Sequence, residues 1–156
     1  MATEIERKFL VKKELWHPTG EGIPISQGYL SSVPECTVRV RIMGKKSYLT
    51  IKGKNEGVMR AEFEYEIPLE DGEALMEMCR KPVISKERYL EHCGGFLWEV
   101  DVFHGDNSGL ILAEIELPSE DTEFSLPEWA GEEVSHDERY YNSNLRNNPF
   151  NKWRKT

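Results

Sequence analysis

Apolar and polar residues alternate with period two over most of the chain, in short runs separated by turn-forming residues. EIERKFLV, ISQGYL, TVRVRI, SYLTIKG, RAEFEYEIPL, SKERYLEH, FLWEVDVF and LILAEIEL each read as a strand, because a strand turns successive side chains to opposite faces. Between them GKK, GKNEG, CGG and HGDNSG supply turns at the spacing of an antiparallel meander. The pattern predicts a mainly β (α+β) fold, and its eight strands are enough to close a small barrel. Helical period is sparse. EDGEALMEMCRK predicts a helix that begins at an Asp71 cap and stacks Leu75, Met76 and Cys79 on one side. A second, weaker helical pattern falls within SEDTEFSL or YYNSNLRN. No repeat or linker divides the chain, so residues 1–156 read as one domain, with barrel and helices over about 1–145 and a basic tail over 146–156.

The same period sorts the charges. Glu4, Glu6 and Lys8 share one side of the first strand, about 6.6 Å from one to the next. Arg39 and Arg41 share a face against Val38, Val40 and Ile42, and Thr50 and Lys52 oppose Leu49 and Ile51. Glu62, Glu64 and Glu66 oppose Phe63, Tyr65 and Ile67; Lys86 aligns with Arg88, Glu99 with Asp101, and Glu114 with Glu116. Each face thus carries charges of mostly one sign. A solvated face gains from mixed signs and loses from like charges side by side, so this segregation calls for counter-ions. Carboxylate strands offer oxygen ligands to hard divalent cations such as Mg²⁺ or Mn²⁺. Lysine and arginine strands offer a cationic wall, in which the planar guanidinium suits phosphate oxygens. Periodicity fixes which residues share a face and not which way that face points. Clustering of like charge favours a polar, ligand-sized lumen over a charged exterior.

Composition narrows the classes. With 38% hydrophobic and 31% charged residues in 156, the chain is long enough to bury a core and too apolar to be disordered. No apolar run approaches the roughly 20 residues that span a bilayer, and Glu4 and Glu6 stand where a signal peptide needs an apolar stretch. A cytoplasmic location and no membrane partner are the expectation. Cys36, Cys79 and Cys93 form no CxxC pair, which argues for reduced thiols and against a disulfide framework or a zinc site. A net charge of −8 argues against nucleic acid as a partner. The basic-leaning end, with Arg146, Lys152, Arg154 and Lys155, reads as a solvated tail. KGKNEG lacks the spacing of a phosphate loop, and no GxSxG elbow exists. His17, His92, His104 and His136 are scattered without ligand spacing, and the tryptophans Trp16, Trp98, Trp129 and Trp153 read as packing residues.

EIERK resembles the ExExK signature of the CYTH superfamily, the triphosphate tunnel metalloenzymes. The resemblance continues in order through QGYL, VRVR, LTIKG, EYEI, SKERY, EVDVF, the AEIE pair and GEEVSHDERYYN. It implies a closed eight-stranded antiparallel barrel, a tunnel that binds triphosphate with Mg²⁺ or Mn²⁺. Carried over by position, Glu4, Glu6, Glu114 and Glu116 are the expected metal ligands, with Glu64 and Glu66 favoured over Glu62 from the EYE block. Lys8, Arg39, Arg41, Lys52, Lys86 and Arg88 are the expected phosphate clamps. Arg139 is expected to join them or to orient them, and Asp101 to orient them from behind. Lys8 is the candidate base if its neighbours depress its pKa, with Tyr29 as its hydrogen-bond partner.

The family resemblance points to a metal-dependent hydrolase of inorganic triphosphate (tripolyphosphate) or of a small molecule that contains triphosphate. Class IV adenylate cyclase and thiamine triphosphatase are the related alternatives. A non-catalytic domain that binds polyphosphate or nucleotides through the same tunnel is the contrasting class. The oligomeric state is not legible, and a homodimer stays open.

Overall fold

The computed structural model describes residues 3–153. Every one of the expected runs forms a strand: β1 (Thr3–Val11), β2 (Ile23–Val33), β3 (Cys36–Met43), β4 (Lys46–Gly53), β5 (Met59–Ile67), β6 (Ile84–Cys93), β7 (Phe96–Phe103) and β8 (Ile111–Glu116). Around the sheet the order is β5-β4-β3-β2-β6-β7-β8-β1, and β1 also pairs with β5, so the eight strands form a ring. All pairings are antiparallel. Tight turns after β3 and β6 put Gly44 at φ 61° and Gly94 and Gly95 at 61° and 82°. Side chains with a Cβ resist that region, so glycine sets these hairpins.

Closure of the ring is short. Only Thr3, Glu4 and Ile5 of β1 are in register with β5, opposite Ala61, Arg60 and Met59. Farther along, the same strand takes up a ninth, β9 (Ala130–Glu133), which pairs Glu133 with Phe9 and Ala130 with Val11. The sequence AGEE carries no alternation and did not announce this strand; pairing on β1 creates it.

Much of the strands' outer surface is apolar and covered, while Phe63 and Tyr65 of β5 stay exposed. The helix α1 (Leu69–Met78) lies over β2, β3 and β4, where Met76 and Cys79 pack with Val40, Leu30, Ile42 and Leu49. Its start differs from the expected Asp71 cap. Pro68 occupies the cap position without a side-chain hydrogen bond, and Glu70 and Asp71 lie inside the first turn, where acidic side chains favour the helix dipole. On the opposite side Phe9, Trp16, Trp98, Val100, Ala113, Ile115 and Leu117 form a second cluster, joined by Phe124 and Trp129. SEDTEFSL is therefore a covering loop and not a helix; the second helix is α2 (Asn142–Asn147). A third cluster gathers Tyr29, Ile84, Phe103 and Leu112 from the ring with Val134, Tyr140 and Leu145 from the chain's end. Period two places those four strand residues on the inner face, so this cluster stops one end of the lumen.

The expected solvated tail is packed over much of its length. Arg146 is buried, Trp153 meets Tyr140 with ring centroids 5.0 Å apart, and Phe150 meets Trp153 at 5.1 Å. Arg154 and Lys155 lie outside the described residues. Among the described residues no helix is long and apolar enough to cross a membrane. Cys36, Cys79 and Cys93 are free thiols, exposed, buried and half-buried in turn.

Candidate active site

The charged faces point inward. Lys8, Arg39, Arg41, Lys86, Arg88 and Asp101 are each 9% exposed or less, although all are ionisable. Burying so many charges is tolerable only where each finds a partner or a ligand. Three of them, Arg39, Arg41 and Arg88, line a cavity of about 350 Å³ with Lys52 and with Glu4, Glu6, Glu62, Glu64, Glu99, Glu114 and Glu116. Strand register builds this arrangement directly. Glu6 lies opposite Glu116 and Lys8 opposite Glu114 across β1 and β8, while Glu99 lies opposite Glu114 and Arg88 opposite Asp101.

Cations and carboxylates are partly paired already. Lys52 Nζ donates to both oxygens of Glu4 at 3.0 and 3.2 Å and lies 3.6 Å from Glu62. Burial works against its charge, but Glu6, Glu4 and Glu62 outweigh that and raise its pKa. Asp101 is the hub beneath the cavity: it accepts from Arg88 Nε at 2.8 Å, Arg88 Nη2 at 3.0 Å and Lys86 Nζ at 2.7 Å. Burial raises the Asp101 pKa, yet Lys86 and Arg88 together hold it far below the usual carboxylate range. Lys86 is itself sealed off, and desolvation lowers its pKa to about 7 in spite of Asp101. Desolvation likewise lowers Arg41 to about 10, with Arg39 and Arg88 adding repulsion. Arg41 Nε donates to Gln27 Oε1 at 3.3 Å, which leaves its terminal nitrogens turned to the cavity.

The carboxyl groups are less well compensated. Burial pushes Glu6 well above the ordinary carboxylate range, and the charge of Glu114 adds to the effect. Glu114 moves the other way: Lys8 and a hydrogen bond from Glu6 outweigh its burial and hold it at about 2. Burial and their mutual repulsion therefore favour protonation at Glu6 over Glu114. Burial also raises Glu4, Glu99 and Glu116. Among the described residues no group of three carboxyl, imidazole or thiol side chains is already gathered as a metal cage.

Not every residue singled out in the sequence reaches the cavity. Glu64 lines it from an exposed position, whereas Glu66, opposite Tyr48 on β4, is exposed and outside the lining. Lys86 is buried behind the wall, against Asp101. Arg139 stands outside, paired with Asp137 at 2.6 Å and 5.0 Å over the Trp153 ring. Lys8 Nζ donates to the carbonyl of Tyr140 at 3.1 Å, in place of the partnership with Tyr29, whose ring belongs to the apolar stopper. Conversely Glu62 and Glu99 line the cavity and were not chosen. Glu99 shares its face with Asp101 in EVDVF, and that signal was present in the sequence. Gln27 and Asn142 carried none.

A CYTH domain model matches residues 2–143, which include all eight strands of the ring. The chain belongs to the CYTH family. The chain is 47% identical over 151 residues to an inorganic triphosphatase of Acetivibrio thermocellus, covering 96% of this chain and 97% of the relative. It is 40% identical over 149 residues to an inorganic triphosphatase of Nitrosomonas europaea, covering 92% and 96% respectively. Among solved structures, the crystal structure of an inorganic triphosphatase superposes with a TM-score of 0.66 at 38% identity, over 94% of this chain and 95% of that one. The CYTH resemblance of EIERK and its successive blocks holds at the level of family and ring.

Proposed function

We propose that this CYTH domain hydrolyses inorganic triphosphate, giving pyrophosphate and orthophosphate. The observation that carries this reading is the enclosed cavity with cations and carboxylates on separate strands, Arg39, Arg41, Lys52 and Arg88 facing Glu4, Glu6, Glu114 and Glu116. A linear polyanion satisfies the cationic wall, and hard cations satisfy the acidic one. The names of the two relatives support the choice of inorganic triphosphate.

The donor set fits Mg²⁺ or Mn²⁺. Its groups are hard carboxylate oxygens around one cavity, and the raised pKa values of Glu6, Glu4 and Glu116 mark negative charge for which the protein supplies too little compensation. Glu4, Glu6, Glu114 and Glu116 would hold the ion, with Glu64 at the rim. Once bound, a divalent cation neutralises phosphate oxygens and polarises the attacking water.

The chain's own residues position the substrate. Arg88 is fixed by Asp101 and by Glu99 at 3.2 Å, so its guanidinium meets phosphate with little further loss of freedom. Arg41 is steered by Gln27 and presents its terminal nitrogens. Both guanidinium groups sit where water is largely excluded, which strengthens their hold on charge that develops as the bridging P–O bond breaks. Lys52, which donates to Glu4 at the cavity wall, would offer its charge to a phosphate oxygen if Glu4 held a cation. Lys8, held as a donor to Tyr140 O and 3.8 Å from Glu114, adds positive charge next to the acidic wall. These roles leave Asp101 as the group that orients Arg88 and Lys86.

The first test is phosphate release from tripolyphosphate with Mg²⁺, with Mn²⁺ and with neither. Release in the presence of metal is expected, and zero release with every divalent ion would overturn the reading in favour of a binding domain. Glu6→Gln and Glu116→Gln should each remove most of the activity while the circular dichroism spectrum stays unchanged. Near-wild-type turnover of either variant at limiting metal would count against the acidic wall as the metal site.

A further inference from the structure

The ring has a second opening, at the place where β1 changes partners. Glu6 N still donates to Val58 O at 3.2 Å, but from Lys8 onward the same edge belongs to the chain's end: Lys8 N donates to Ser135 Oγ at 2.9 Å and Val134 N to Lys8 O at 2.8 Å. Between those contacts lies a pocket of about 70 Å³, against about 350 Å³ for the main cavity, and Glu6, Arg39, Lys52 and Asn142 line both. The pocket is thus a side port into the lumen. Arg60 from β5 and Ser143 from α2 stand on its two banks.

The two openings differ in charge. Seven carboxyl groups and four cations line the main cavity, and the port holds four cations, Lys8, Arg39, Lys52 and Arg60, against Glu6 alone. Arg39 Nε is buried without a hydrogen-bond partner among the described residues. Arg60 Nε donates to Gly53 O at 3.2 Å, and its terminal nitrogens have no partner among the described residues. A buried donor left unmade costs free energy, and Arg39 Nε beside the free end of Arg60 in one small cationic pocket suits a compact oxyanion.

We propose, resting on the triphosphatase reading, that this port is an orthophosphate subsite and the route by which free orthophosphate leaves. Cations outnumber carboxylates at the port, so a small anion inside the lumen is drawn toward it, since local potential sets the path of a small ion near a cleft. The port is too small for three linked phosphates, so substrate uses the main mouth.

The test is binding of orthophosphate and of tripolyphosphate to the full chain in EDTA, by calorimetry, for wild type and Arg60→Ala. The Kd for orthophosphate should rise at least tenfold in Arg60→Ala, and the Kd for tripolyphosphate should stay within twofold. Product inhibition by orthophosphate should weaken by the same factor. As an independent variant, Ser143→Trp narrows the port: single-turnover hydrolysis should keep its rate while steady-state turnover slows. Equal weakening of both ligands in Arg60→Ala, no weakening of either, or a Ser143→Trp variant with unchanged steady-state turnover would overturn the port. If wild type shows the binding difference and yet hydrolyses no tripolyphosphate, the triphosphatase reading fails and the subsite stands.

Discussion

Glu6 is the residue at which stability and function pull apart. Its folded pKa lies well above the ordinary value of 4.5 because of burial and Glu114. The folded state therefore binds more protons than the unfolded one above pH 4.5, and the protein loses stability as pH rises through that window. Glutamine mimics the protonated acid and can still donate to Glu114. Glu6→Gln should melt like wild type near pH 4.5 and above it at pH 8 in metal-free buffer, even as activity is lost; a lower melting temperature at pH 8 would contradict the raised Glu6 pKa. Lys86 has the opposite sign: with a folded pKa near 7 and an unfolded one of about 10.4, it gives stability that grows between those values, a rise that Lys86→Met should lack in urea unfolding at pH 7 and pH 9. Asp101→Asn should be the costlier change, about 3–5 kcal/mol, because it strands Lys86 and Arg88 together. Part of this set was legible in the sequence, since period two put Glu4 with Glu6, Arg39 with Arg41, Lys86 with Arg88 and Glu114 with Glu116, and the family resemblance grouped the strands. Which of them reach the cavity was not, because depth along a strand depends on register, and register placed Lys86 behind the wall and Glu66 beyond the rim.

Packing of α1 depends on two glycines that no charge argument explains. A Cβ on Gly28 would stand 2.7 Å from Cys79 Cβ, and one on Gly72 would overlap Ser47. The glycine of QGYL is thus a seat for the helix, and its neighbours Gln27 and Tyr29 face the lumen. Gly28→Val should destabilise by about 1–3 kcal/mol through overpacking, with kcat for tripolyphosphate retained because α1 lies outside the ring. Loss of activity in the folded variant would mean that the helix reaches the site. Strands with alternating residues were legible throughout, and α1 was legible apart from its cap. The ninth strand and the stopper were not: AGEE borrows its conformation from β1, and Tyr140, Leu145 and Trp153 become core residues only through a tertiary contact that local pattern does not encode.

The assembled barrel confines like charges at close range, so a polyanion that neutralises them should stabilise the whole molecule. Binding to the native state alone contributes RT ln(1 + [L]/Kd), about 2.7 kcal/mol at a hundredfold excess, or roughly 5 to 10 °C for a domain of this size. Tripolyphosphate with a poorly catalytic cation such as Ca²⁺ should raise the melting temperature more than orthophosphate does at matched ionic strength, and Arg41→Ala should blunt the difference. Equal shifts for the two anions would mean that the charged walls do not act together. The three-residue closure between β1 and β5 bears on how such a molecule is made. β1 leaves the ribosome before the other strands of the ring, yet most of its pairing is with β8 and β9, more than a hundred residues later. At about 5–20 residues per second the first strand waits on the order of ten seconds for its neighbours. Throughout that interval a nascent chain shows water Glu4, Glu6 and Lys8 on one side and Ile5, Arg7 and Phe9 on the other. The carboxylates that later serve the lumen are then the groups that keep an unpartnered strand in solution.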